Sequence, residues 1–75
     1  MKPLDWIKAY PEMDDATSLR RMHSFARAHA AEAKRLMRLL RKQPEDAESF
    51  KLDFDEAVEA MRLIEARLEA LGFTL

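Results

Sequence analysis

The chain has no cysteine. That excludes a disulfide framework and any thiolate metal site, and it suits a reducing compartment. It has one glycine, so no glycine-rich loop is available to cradle a phosphate. Prolines stand only at positions 3, 11 and 44. Six residues are aromatic, too few to interleave a basic face with base-stacking rings. No uncharged run approaches the roughly 20 residues that span a bilayer. Asp5 and Lys8 interrupt the start, which leaves no apolar core for a signal peptide. These absences point to a small cytoplasmic protein rich in Ala, Leu, Arg and Glu, the composition of an all-helical chain. Seventy-five residues make one domain. A single core of this size seldom supplies more than about 3–5 kcal/mol, so tight helix packing or self-association is expected to supplement it.

What is present is dominated by residues 14–43, which contain neither Gly nor Pro. The spacing predicts one long helix. Leu19, Met22, Ala26, His29, Ala33, Leu36 and Leu40 repeat at steps of three and four, the signature of an apolar helical seam. Arg20, Arg27, Lys34 and Arg41 recur at steps of seven on the opposite side, with Arg38 and Lys42 beside them. Asp14 or Asp15 is the expected N-cap, and Pro44 ends the helix because the residue before a proline disfavours helical dihedrals.

Residues 1–13 read as an N-terminal arm. Pro3 fits a first helical position and Pro11 stops the turn, so Leu4, Ile7 and Tyr10 share one face, with Trp6 beside Tyr10. Residues 44–52 read as the connection, in which Pro44 can open one extra turn. Asp53, with Glu56 three residues on, has the spacing of a capping box and predicts a second helix starting there. Leu52 and Ala57 stand as its hydrophobic staple. Its seam is Phe54, Ala57, Met61, Ile64, Leu68 and Leu71, with Leu75 in register, and Gly72 sits where a left-handed C-terminal residue belongs. Phe73 and Leu75 are expected to return to the core. The domain thus divides into arm (1–13), first helix (14–43), connection (44–52) and second helix with tail (53–75).

A short connection favours an antiparallel hairpin. The first helix is expected to outrun the second by about ten residues, or roughly 15 Å, leaving Leu19 and Met22 for the arm or another subunit. Its apolar arc, which includes Phe25 and Leu36, spans about 120°, wider than one neighbour covers. The expected fold is therefore an all-α hairpin that dimerises into a four-helix bundle through Leu19, Met22, Phe25 and Leu36. In architecture this layout resembles the small dimeric RNA-binding hairpin that controls plasmid copy number, a likeness of layout with no sequence motif behind it.

The net charge of −1 conceals an asymmetry: residues 14–43 carry +5 and residues 44–75 carry −6. The basic stripe Arg20, Arg27, Lys34, Arg38, Arg41 and Lys42 is the strongest functional signal. It suits an acidic protein surface or, alternatively, the phosphates of a nucleic acid. Glu56, Glu59, Glu65 and Glu69 are the expected internal counter-charges that weigh against both. Trp6 and Tyr10 form a second candidate partner surface, since aromatics anchor protein interfaces. His29 with Glu32 reverses the Glu-x-x-His order of carboxylate-bridged metal sites, so no metal is expected; His29 reads as a core or interface histidine, and His23 lies toward the basic edge. No nucleophile–base spacing marks an enzyme, and no cofactor is implied. The expected function is a non-enzymatic regulatory module that binds a protein partner.

Overall fold

The computed structural model describes residues 2–40 and 42–73 and is all-helical, in the order α1 (Pro3–Ala9), α2 (Ala16–Leu39) and α3 (Pro44–Ala70). α2 and α3 pack as the expected hairpin, elongated to 44 × 21 × 15 Å. Pro3 opens α1, where its missing N–H costs nothing. Of the two candidate caps, Asp15 is the one used. Its carboxylate accepts from the backbone N–H groups of Thr17 (3.3 Å) and Ser18 (3.2 Å) and from the Ser18 hydroxyl (2.7 Å). These bonds hold the Asp15 carboxyl below its ordinary pKa, the Ser18 hydroxyl contributing most.

The connection differs from the expectation. Residues 44–52 are not a linker but the first turns of α3, and the chain reverses between the end of α2 at Leu39 and Pro44. Nothing in Glu45–Leu52 breaks a helix. Pro44 suits the first position, and Glu45 and Asp46 in the first turn favour the positive helix end. Asp53 is therefore not a cap, and Leu52 and Ala57 are not a staple. The Asp-x-x-Glu spacing puts Asp53 and Glu56 on adjoining helical turns, where both carboxylates meet Lys2 at 2.8 and 3.3 Å. The length argument inverts with it: α2 has 24 residues and α3 has 27.

The C-terminus of α3 forms as expected. Gly72 takes φ +84°, with its N–H donated to Glu69 O and that of Phe73 to Leu68 O, the paired bonds of a Schellman motif. Phe73, however, stays 43% exposed, and Leu75 lies outside the described residues.

The core has two sections. Where α1 lies over the hairpin, Ile7, Leu19, Met22, Ile64 and Leu68 make one cluster, edged by Leu4, Met13, Ala16 and Leu63. Further along, Ala26, Ala30 and Ala33 of α2 and Ala57 and Ala60 of α3 are all buried. Small side chains there let two backbones approach closely. The sequence pattern put His29 in the seam, whereas Ala30 occupies the buried place. α1 runs alongside α3 in the same direction. Lys2 reaches Asp53 and Glu56 at one end, and the Arg67 guanidinium donates to Tyr10 O (2.9 Å) at the other. No helix among the described residues is long and apolar enough to cross a membrane.

Candidate interaction surface

Trp6 of α1 and Tyr10, which caps its C-terminus, stand one turn apart, their ring centres 5.7 Å apart and tilted by 52°. Ile7, between them in sequence, is buried and pins this short helix, so both rings are left at the surface. Phe25 of α2 is 57% exposed and stacks on His29, with centres 6.4 Å apart at 28°. An open groove of about 480 Å³ separates α1 from α2, lined by Pro3, Trp6, Arg21, Met22 and Phe25. A second open hollow, about 460 Å³, is lined by Thr17, Arg20, Arg21 and Ser24. Arg21 belongs to both. The groove brings Trp6 of the aromatic arm together with Phe25, two residues that sequence reasoning assigned to different roles. Arg21 was missed because it falls outside the step-of-seven stripe. Its position one turn before Phe25 was the available signal.

α2 ends at Leu39, short of Arg41 and Lys42, so it does not carry the whole stripe as expected. Arg20, Arg27, Lys34, Arg38 and Lys42 are all exposed, while Arg41 lies outside the described residues. The acids of α3 that were expected to balance it are largely engaged elsewhere. Glu56 meets Lys2 at 3.3 Å, Glu59 pairs with Arg62 of its own helix at 2.6 Å, and Glu65 faces His23 Nε2 at 3.5 Å. Two bonds from Arg62 hold the Glu59 carboxyl below its ordinary pKa. Within α2, Arg35 is tied in the same way to Glu32. Arg27, Lys34, Arg38 and Lys42 make no hydrogen bond or ion pair with another described residue. His23 Nε2 is buried without a hydrogen bond, because 3.5 Å to Glu65 is an ion-pair distance without hydrogen-bond geometry.

The four residues assigned to self-association are divided by the structure. Leu19 is fully buried and Met22 nearly so, within the cluster formed by α1, α2 and α3 of a single chain. They need no second copy, because α1 supplies the cover and α3 is long enough to reach them. Phe25 remains exposed and Leu36 half-buried. Uncovered apolar surface lies instead toward the turn, at Leu39 and Leu52, 67% and 63% exposed.

Among the described residues no group of three His, Asp or Glu side chains stands close enough to hold a metal ion. No protein-family model, curated protein or solved structure matches the chain.

Proposed function

We propose that the chain is a small non-enzymatic interaction module of the cytoplasm that binds and modulates a protein with an acidic surface. The observation that carries this reading is the basic stripe. Four cations, Arg27, Lys34, Arg38 and Lys42, are exposed, while three of the four α3 acids expected to balance them face other groups. If these four cations served only to attract α3, they would be paired with it. Through Arg20 the stripe continues into the hollow and groove around Arg21, which adds the aromatic and arginine side chains that anchor protein interfaces.

Homodimerisation is part of the proposal. Leu36, Leu39 and Leu52 near the turn supply the uncovered apolar surface. Light scattering across a concentration range is expected to show a dimer at high micromolar concentration, and a monomer throughout would refute that part.

The experiment for the stripe is its reversal, Arg27→Glu with Lys34→Glu and Arg38→Glu. The expected outcome is an unchanged helical circular-dichroism spectrum with loss of the partner captured by the wild-type chain. A folded triple variant that keeps every partner would overturn the reading. Titration with an RNA or DNA duplex at two salt concentrations tests the alternative, because phosphate binding falls steeply with salt; no binding at low salt is expected.

A further inference from the structure

We infer that the groove between α1 and α2 receives a peptide segment of the partner in which a bulky apolar side chain lies next to a carboxylate. The inference rests on the proposal that the chain binds a protein, and it names the chemistry of the segment recognised. The groove has an apolar floor and wall, Pro3, Met22, Trp6 and Phe25, and one cation at its rim, Arg21. The hollow on the other side of Arg21 adds the Thr17 and Ser24 side chains and Arg20. A ligand that fills the groove and reaches Arg21 presents an apolar side chain with a carboxylate beside it. The guanidinium is available for this. Arg21 is exposed, and its charge neighbour among the described residues is Asp15, whose carboxylate already accepts from Thr17 and Ser18. An arginine beside a carboxylate forms paired, charge-assisted hydrogen bonds that a neutral amide does not reproduce.

Shape selects a peptide over a small amphiphile. About 480 Å³ lies within the range of ligand sites, roughly 300–1,000 Å³, but such sites enclose most of their ligand. This one is only about half enclosed, the form of a surface that receives side chains from a longer chain. The rings that wall it already rest on neighbours, Trp6 on Tyr10 and Phe25 on His29, so little ordering is needed on binding.

Trp6 is the chain's single tryptophan and lines the groove, so its fluorescence reports occupancy directly. The probe is a synthetic peptide of about ten residues, free of Trp, with Leu and Phe one helical turn apart and Glu on either side. The expected result is a saturable change in Trp6 emission below about 1 mM peptide. Arg21→Gln and Phe25→Ala are each expected to weaken binding about tenfold or more. Both side chains are exposed, and circular dichroism checks that each variant folds. A peptide with Gln in place of Glu, or with Ala in place of Leu and Phe, is expected to bind at least about tenfold more weakly. The inference is overturned by silence of Trp6 at that concentration, by equal binding of the Gln peptide, or by groove variants that bind like the wild type. It is also overturned if dodecanoate, an apolar chain with one carboxylate, binds more tightly than the peptide. Arg27, Lys34 and Arg38 lie outside both cavities, so their triple reversal is expected to leave peptide affinity within about threefold. If the groove variants bind like the wild type while the triple variant loses its partner, the groove inference fails and the proposed function stands.

Discussion

The two ends of the hairpin are built from the same two helices, yet only one of them has a core. At the end covered by α1, Ile7, Leu19, Ile64 and Leu68 are each at most 2% exposed. At the turn end no described residue from 34 to 56 is buried, although the segment carries Leu36, Met37, Leu39, Leu40, Phe50, Leu52 and Phe54. Composition does not distinguish the ends; a third layer does. Two helices in contact each shield one narrow strip, and a side chain beside that strip is covered only when something lies across the groove. Seven residues of α1 provide that cover at one end. The middle of the hairpin solves the problem differently: alanines need no cover because they bury completely between two close backbones.

The largest test of this contrast is a matched pair of truncations. Leu68→Ala removes a fully buried side chain and is expected to cost about 2–5 kcal/mol. That is most or all of what a core this small supplies, so the variant is expected to be largely unfolded at 37 °C. Leu52→Ala, at a site 63% exposed, is expected to stay within about 0.5 kcal/mol of the wild type. Denaturant melts of both variants decide it. Equal losses would mean that the turn end is covered in solution, and a dimer through Leu52 would then account for the result.

A smaller effect probes the alanine section. Ala60 is fully buried on α3 against α2, and Ala60→Leu forces extra volume between two close helices. The expected loss is about 1–3 kcal/mol, read as a lower thermal midpoint. An unchanged midpoint would show that the helices separate at little cost, and the middle would then resemble the turn end.

How much of this was legible from the residues alone depends on whether a signal was local. Pro3, Asp15 and Gly72 act within a few residues of themselves, and all three took the places their chemistry suggests. The α2 seam was readable for Leu19, Met22, Ala26 and Ala33 because helical period fixes direction. The Asp53–Glu56 spacing misled because the same two carboxylates serve equally well as a cap or as a receptor for a distant cation. The unbroken helix from Pro44 rules out the cap, and the tertiary position of Lys2, 51 residues away, supplies the other role. Misplacing the start of α3 then reversed the comparison of helix lengths and sent Leu19 and Met22 to an interface. The stripe was legible as a pattern, but that Arg27, Lys34, Arg38 and Lys42 stay unpaired with other described residues was not, since that depended on where Glu56, Glu59 and Glu65 turned. The groove was invisible for the same reason: Trp6 and Arg21 line it from two different helices.

A third prediction concerns the cap at the covered end. Asp15→Ala removes the acceptor for two backbone N–H groups and the Ser18 hydroxyl. Loss of such a cap is expected to lower the midpoint by about 4–8 °C in a domain of this size. Because the Asp15 pKa is lowered in the folded state, its contribution is complete above the ordinary carboxyl value of 3.8 and is lost as pH falls through the folded value. Melting curves of wild type and variant are therefore expected to differ at pH 7 and to converge well below pH 4. A gap that persists in acid would mean that Asp15 acts through packing rather than through its charge.

The smallest expected effect tests what holds α1 in place. Lys2 meets Asp53 at 2.8 Å and Glu56 at 3.3 Å, and all three side chains are reached by solvent. Hydrogen bonds to Asp53 first and Glu56 second raise the lysine pKa above its ordinary 10.5. A raised pKa in a cation means a contribution present throughout neutral pH and lost only as pH climbs through the folded value, above 10.5. Exposed pairs of this kind are weak and screened by salt. Lys2→Met keeps the aliphatic stem and removes the charge, so the midpoint is expected to fall by no more than a few degrees, with the difference shrinking in about 1 M salt. If Ile7 is what fixes α1, as its burial argues, hydrogen exchange at Leu19, Ile64 and Leu68 is expected to stay slow in this variant. Fast exchange there would show that the ion pair, not the buried isoleucine, closes the covered end, and the contrast between the two ends would then depend on one exposed charge.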